Sequence, residues 1–152
     1  MIPRRVRAIA IGVVEDERGR WLVFEGYDPV KGDRFYRPLG GAIEFGERGR
    51  DCLAREFREE IGAELEDVTY LGVIESIFTC AGEPGHEIVL VYRARFRDPR
   101  FYRRETMVVR EEVETLTARW MPREAFASGS ARLVPDGLLD LAERGNRAAG
   151  FR

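Results

Sequence analysis

The sequence predicts an α/β fold, with a mixed sheet lying between helices. Three observations predict it. Runs rich in β-branched and aromatic residues stand on both sides of one strongly amphipathic helix. A second amphipathic helix closes the chain. The 152 residues are 44% hydrophobic and 34% charged, which suits one globular domain over 1–152 with a real core.

The elements follow in order. Residues 5–14 read as a strand, 15–19 as a turn and 21–24 as a returning strand, which predicts a hairpin. Residues 28–33, with Pro29 and Gly32, read as a loop, and 35–38 lead into a glycine-rich loop. The spacing predicts a helix over 49–62, rich in Ala, Leu, Arg and Glu, free of Pro and stopped by Gly62. Strands follow over 68–79 and 86–96, joined by a turn at 81–85, with Arg93, Arg95 and Arg97 on one face of the second. Residues 98–114 are polar and read as a surface loop that accommodates a strand or helical turn. Residues 117–121 form a short strand, 122–126 one helical turn, and 135–144 a helix with Pro135 at its start and Gly145 after it.

The central helix carries the chemistry. Leu53, Phe57 and Ile61 recur at i, i+4 and i+8, extended by Ala54, so one face is core. At about 100° per residue, Glu56, Glu59 and Glu60 fall within roughly 100° of arc on the neighbouring face. Taken alone, such a helix reads as a solvated surface laced by pairs such as Arg55–Glu59. The Glu56–Glu60 spacing instead stacks like charges. Three converging carboxylates repel one another unless a hard cation neutralises them, and oxygen ligands suit Mg²⁺ or Mn²⁺. The helix offers no histidine partner that would point to zinc. The preceding loop, 39–46, has glycines that admit close approach of backbone to metal or phosphate.

Register sharpens this reading. Gly41, Glu47, Arg55, Glu56, Glu59, Glu60 and Gly62 stand at fixed spacings, G-x5-E-x7-R-E-U-x-E-E-x-G-U with U a bulky apolar residue. Seven residue types matching together has a chance on the order of 10⁻⁹ per starting position at average usage. The pattern, over 41–63, resembles the Nudix box, the signature of hydrolases that cleave nucleoside diphosphates linked to another moiety. Ala63, small where a bulky residue is usual, departs from it at a packing position only. Beyond the box, the surrounding element order is compatible with that family.

The resemblance implies an α/β/α sandwich and divalent-metal-dependent hydrolysis of a diphosphate linkage, in a nucleoside diphosphate derivative or a nucleoside di- or triphosphate. It implies Glu56, Glu59 and Glu60 as metal ligands and catalytic groups, with the backbone carbonyl of Gly40 as a further ligand. Glu47 and Arg55 would hold the loop against the helix, and Glu44 would contact metal or substrate. A general base is expected on a loop before the 117–121 strand, where Glu111, Glu112 and Glu114 are candidates, the last two favoured. Arg34 and Arg37 flank the glycine-rich loop, and Arg37 is taken as a diphosphate contact, since a guanidinium binds phosphate through paired donors. Phe45 is the aromatic taken to touch substrate, among Tyr27, Phe35, Tyr36 and Phe78. His86, the one histidine, reads as a strand-end hydrogen-bonding group.

Composition bounds the partners. The net charge is −2, so bulk electrostatics give no reason to expect a nucleic acid, and a small nucleotide derivative is the expected partner. Lys31 is the single lysine among 25 basic residues, which reads as compositional or thermal bias and not as phosphate binding. Cys52 and Cys80 form no disulfide framework, which favours a reducing cytoplasm, and Cys52 reads as a buried inert thiol. The alternation of Arg with short apolar runs near the start reads as a strand and not as a signal peptide. No apolar stretch is long enough to cross a membrane. A homodimer is compatible with these features. Two other classes share the expected fold. An isopentenyl diphosphate isomerase needs a catalytic cysteine motif that Cys80 lacks, and a non-catalytic nucleotide sensor usually loses the box glutamates kept here.

Overall fold

The computed structural model describes residues 4–111 and 113–148, and side chains to 145. In chain order the elements are β1 (Arg7–Val14), β2 (Arg20–Asp28), β3 (Asp33–Pro38), β4 (Gly40–Ala42), α1 (Gly49–Ile61), β5 (Leu65–Cys80), β6 (Glu83–Phe96), a 3₁₀ turn (Pro99–Arg103), β7 (Thr106–Arg110), β8 (Thr115–Pro122), α2 (Arg123–Ala127) and α3 (Leu138–Ala148).

The strands form two four-stranded sheets, β4-β1-β6-β5 and β3-β2-β8-β7. The first is mixed: β1 runs parallel to β6, while β1–β4 and β5–β6 are antiparallel. The second is antiparallel throughout. Alternation along β1 explains why helices cover both faces. Ala10 and Val14 join one core with Leu53 and Phe57 of α1, Leu22, Phe96 and Trp120. Ile9, Ile11 and Val13 join the other with Trp21, Val89, Phe126, Leu138 and Ala142. The first, mixed sheet therefore lies between α1 and α3, the predicted sandwich. Fully burying a side chain such as Phe57 contributes about 1.5–3 kcal/mol and fixes the rotation of α1.

Helix α1 matches its predicted span, and Gly62 ends it in the left-handed conformation with φ 72°. Three expectations are corrected. The predicted β1–β2 hairpin does not extend beyond its turn: a bridge between Glu15 and Trp21 and the Asp16 N–H to the Arg20 carbonyl at 2.9 Å join the two strands, which then enter different sheets. Both strands are buried on two faces, so each needs neighbours that a simple hairpin does not supply. The glycine-rich loop contains a short strand, β4, whose Gly40, Gly41 and Ala42 pair with Ile11, Ala10 and Ile9. The last helix starts at Leu138, beyond Pro135, and runs through Gly145, which packs against Leu71 where a side chain would collide. The ambiguous 98–114 segment resolves into the 3₁₀ turn and β7. No helix among the described residues is long and apolar enough to cross a membrane.

Candidate active site

Strand β4 and helix α1 bring the box residues together. Gly41 faces Glu56: a Cβ at Gly41 would lie 2.4 Å from the Glu56 carboxyl carbon, so only glycine leaves room for that side chain. Cys52 underlies the same contact. It is buried, its Sγ donates to the carbonyls of Gly41 and Ala42 at 3.5 and 3.4 Å, and burial pushes its thiol up to about 12. It is an inert packing group, as its position in the sequence predicts.

Arg55 organises the loop. Its Nε and Nη2 donate to the two carboxylate oxygens of Glu47 at 2.8 and 2.9 Å, a bidentate pair. Nη1 donates to Glu56 at 3.0 Å and to Glu59 at 3.2 Å, and Nη2 also reaches the Ala42 carbonyl at 3.1 Å. Glu44 lies 3.8 Å away, and its backbone N–H donates to Glu47. One guanidinium thus ties four glutamates to β4. The Arg55 hydrogen bonds hold the Glu47 carboxyl down at about 2, and Glu47 in turn raises Arg55.

The three helix glutamates differ in environment. Glu59 is exposed, Glu56 is largely covered, and Glu60 is buried at 3% exposure. Glu60 Oε1 has no hydrogen-bond partner. Burial, then its neighbours Glu56 and Glu111, push the Glu60 carboxyl up to about 10, against the pull of Arg37. Arg37, on β3, is the complementary case. Its Nε is also buried without a partner, and its guanidinium stacks 4.9 Å from the Phe24 ring centroid. Burial lowers its pKa, opposed by the charges of Glu87, Glu60 and Glu111.

Glu111, just past β7, therefore lies within electrostatic reach of both Glu60 and Arg37; its backbone N–H donates to the Glu114 carbonyl at 3.0 Å. Glu111 and Glu114 are both exposed, Glu114 just before β8, and Glu112 lies outside the described residues. Phe45 is fully exposed on the loop before α1. Arg34 pairs loosely with Glu25 at 3.9 Å, away from the cluster. His86 sits inside β6 opposite Ile77, not at a strand end. The contribution of Phe24 as a stacking platform was not legible in the sequence, because it depends on the β2–β3 register that sets Phe24 opposite Arg37.

Among the described residues no three acidic, histidine or cysteine side chains are gathered closely enough to enclose a metal ion, since Arg55 draws Glu56 and Glu59 to itself. The donor set nevertheless fits a hard cation. It is made of oxygens, and a buried carboxyl with an unpartnered oxygen adjoins a second carboxylate.

A sequence model of the NUDIX domain matches residues 3–140. The NAD-capped RNA hydrolase NudC of Pseudomonas aeruginosa is 29% identical over 107 residues, 70% of this chain and 34% of that protein. The NudC of Mycobacterium tuberculosis is 50% identical over 40 residues, 26% of this chain and 13% of that protein. This chain thus spans about a third or less of the length of these relatives. Among solved structures, a NUDIX hydrolase from Nitrosomonas europaea superposes with TM-score 0.65 at 18% identity, covering 97% of this chain and 92% of that one. The MutT protein from Methanosarcina mazei superposes with TM-score 0.62 at 18% identity, covering 98% and 99%. At such identities these structures speak for the fold, and they agree with the box geometry around Arg55 and the match over nearly the whole sequence: the chain belongs to the Nudix family.

Proposed function

We propose that this protein hydrolyses a diphosphate linkage in a small nucleoside diphosphate derivative, using Mg²⁺ or Mn²⁺. One observation carries the reading. The two buried side-chain atoms without partners among the described residues, Glu60 Oε1 and Arg37 Nε, belong to groups that feel each other's charge. A buried carboxyl oxygen and a buried guanidinium N–H left without hydrogen-bond partners are costly unless a ligand completes both. A cation at Glu60 and a phosphate at Arg37 would do so.

Glu60 and Glu56 would hold the cation, with Glu59 joining by release from Arg55 and the Gly40 carbonyl adding backbone oxygen. When bound, the cation supplies charge neutralisation on the diphosphate oxygens and eases deprotonation of the attacking water. Arg37 orients the diphosphate through its planar donors, its own plane set by Phe24. Glu111, whose charge reaches Glu60 and Arg37, would accept the proton of the attacking water. Arg55 and Glu47 keep the glycine loop against α1. Glu44 and Phe45, exposed on that loop, would contact the substrate.

The relatives support the reading through their name, NAD-capped RNA hydrolase NudC, which describes hydrolysis of a nucleotide-bearing substrate. The test is a panel of nucleoside diphosphate derivatives with Mg²⁺ or Mn²⁺, with products identified by mass. Cleavage at the diphosphate, abolished by chelator and restored by metal, is the expected result. Turnover that persists in metal-free protein, or ligand binding without cleavage across the panel, would overturn it.

A further inference from the structure

A groove of about 850 Å³ opens where the parallel strands β1 and β6 end, away from the glycine loop and outside the cluster around Glu60. Its walls are the turn after β1, the end of β6 and the 3₁₀ turn. Five arginines line it, Arg18, Arg20, Arg93, Arg95 and Arg103, against three acids, Glu15, Asp16 and Glu17.

Two of the acids are already committed. Asp16 accepts from the backbone N–H groups of Arg18 and Arg20 and from Arg20 Nε, at 3.0, 2.9 and 2.8 Å. Glu15 accepts from Trp21 Nε1 at 3.1 Å. Arg95 meets Asp67 only at 4.0 Å. Arg18, Arg93 and Arg103 form no ion pair among the described residues. Arg93 is half-buried, donates to the Ala142 carbonyl at 3.2 Å and feels the charge of Glu15. The groove is therefore locally basic on a chain whose net charge is −2.

The groove is also built in advance. Asp16 pins the turn, and the Tyr102 hydroxyl accepts from the Phe96 N–H at 2.9 Å while its ring stacks on Trp120 at 5.6 Å. Tyr102, Pro99 and Ala94 give it an apolar side. A volume within the usual range of ligand sites, guanidinium groups without acidic partners and an apolar wall suit a phosphate-bearing ligand with a planar base.

We propose that this groove is a second anion site that binds the phosphates of a nucleotide ligand, separately from the cleft at Glu60 and Arg37. Two sources share this chemistry: a free nucleotide, or the phosphodiester backbone of an oligonucleotide.

The test is fluorescence anisotropy with a short labelled single-stranded ribo-oligonucleotide, in EDTA, with ADP as competitor. Binding to the wild-type chain should weaken with salt. Arg18→Gln/Arg103→Gln should weaken it about fivefold or more and lower the log–log salt slope by about 1.4, two single-strand phosphate contacts. Arg5→Gln/Arg132→Gln, with the same charge change outside the groove, should leave binding within twofold, and circular dichroism should be the same for all three proteins. Displacement by ADP identifies a free-nucleotide site, and displacement only by unlabelled oligonucleotide identifies a backbone site. Failure of the wild type to bind either probe, or binding by the Arg18→Gln/Arg103→Gln protein within twofold of wild type, overturns the proposal. Metal-dependent turnover of small substrates should be the same in that variant, so the outcome is independent of the catalytic reading.

Discussion

Arg55 and Glu47 meet through two parallel hydrogen bonds, Nε to Oε2 at 2.8 Å and Nη2 to Oε1 at 2.9 Å, and this pair fastens the loop before α1 to the middle of the helix. The same guanidinium then reaches Glu56 and Glu59. The pair fixes how the carboxylates are presented, so its consequences extend to both stability and metal affinity.

Acid stability should report the pair directly. The folded-state pKa of Glu47 lies at about 2, below its ordinary value of 4.5. A depressed carboxyl stabilises the fold fully above its unfolded pKa and loses that contribution as pH falls through the folded one. The advantage of wild type over Glu47→Gln, read from denaturant midpoints, should therefore shrink between pH 4.5 and 2. A difference that stays constant across that window would show that Glu47 acts by shape alone.

Glu60 has the opposite sign. Its carboxyl is raised from 4.5 to about 10, so between those values the unfolded chain releases a proton that the folded, metal-free chain keeps. The folded state then binds more protons, and stability falls as pH rises through the window. Metal-free Glu60→Gln should match wild type near pH 4 and have the higher Tm near pH 8. Its hydrolytic rate should fall about 10²-fold or more, because charge stabilisation in the transition state is lost. A variant that is less stable at pH 8, or that keeps the wild-type rate, would contradict this account.

The box was legible in the sequence because its chemistry is local. Glu47, Arg55, Glu56 and Glu60 lie on one loop and one helix, where spacing alone places them near one another. Helix α1 was likewise legible from its apolar stripe and from Gly62. The partners of Arg37 were not. Phe24 meets it across the β2–β3 ladder, and Glu111 arrives from the far end of β7. The β1–β2 hairpin failed for a related reason. Apolar runs joined by a turn specify two strands but not their neighbours, and here burial on both faces of each strand sent them into separate sheets.

Arg37 should separate binding from chemistry. If it orients the diphosphate, Arg37→Lys keeps the charge but loses the planar donors and the stack on Phe24. KM should rise about tenfold with metal affinity unchanged, since the contact is made in ground and transition states alike. Titration of Mn²⁺ into the variant checks the second half of the statement. A loss of metal affinity equal to the loss in substrate affinity would assign Arg37 to the architecture of the cleft.

The general base gives the most discriminating substitution. Three glutamates precede β8 in the sequence. Glu111 and Glu114 are both exposed, Glu111 is the described one whose charge reaches Glu60 and Arg37, and Glu112 lies outside the described residues. A base must reach the attacking water, and on the proposed mechanism that water lies close to the cation assigned to Glu60. Glu111→Gln should therefore lower kcat about 10²-fold or more, leave Mn²⁺ affinity unchanged and flatten the acid limb of the pH–rate profile. Glu114→Gln should leave kcat within a few-fold. Two results would move the assignment. A large effect confined to Glu112→Gln would place the base one residue further along the same loop. Wild-type rates in all three variants would leave deprotonation to the cation and a helix glutamate, with the loop serving only to cover the substrate.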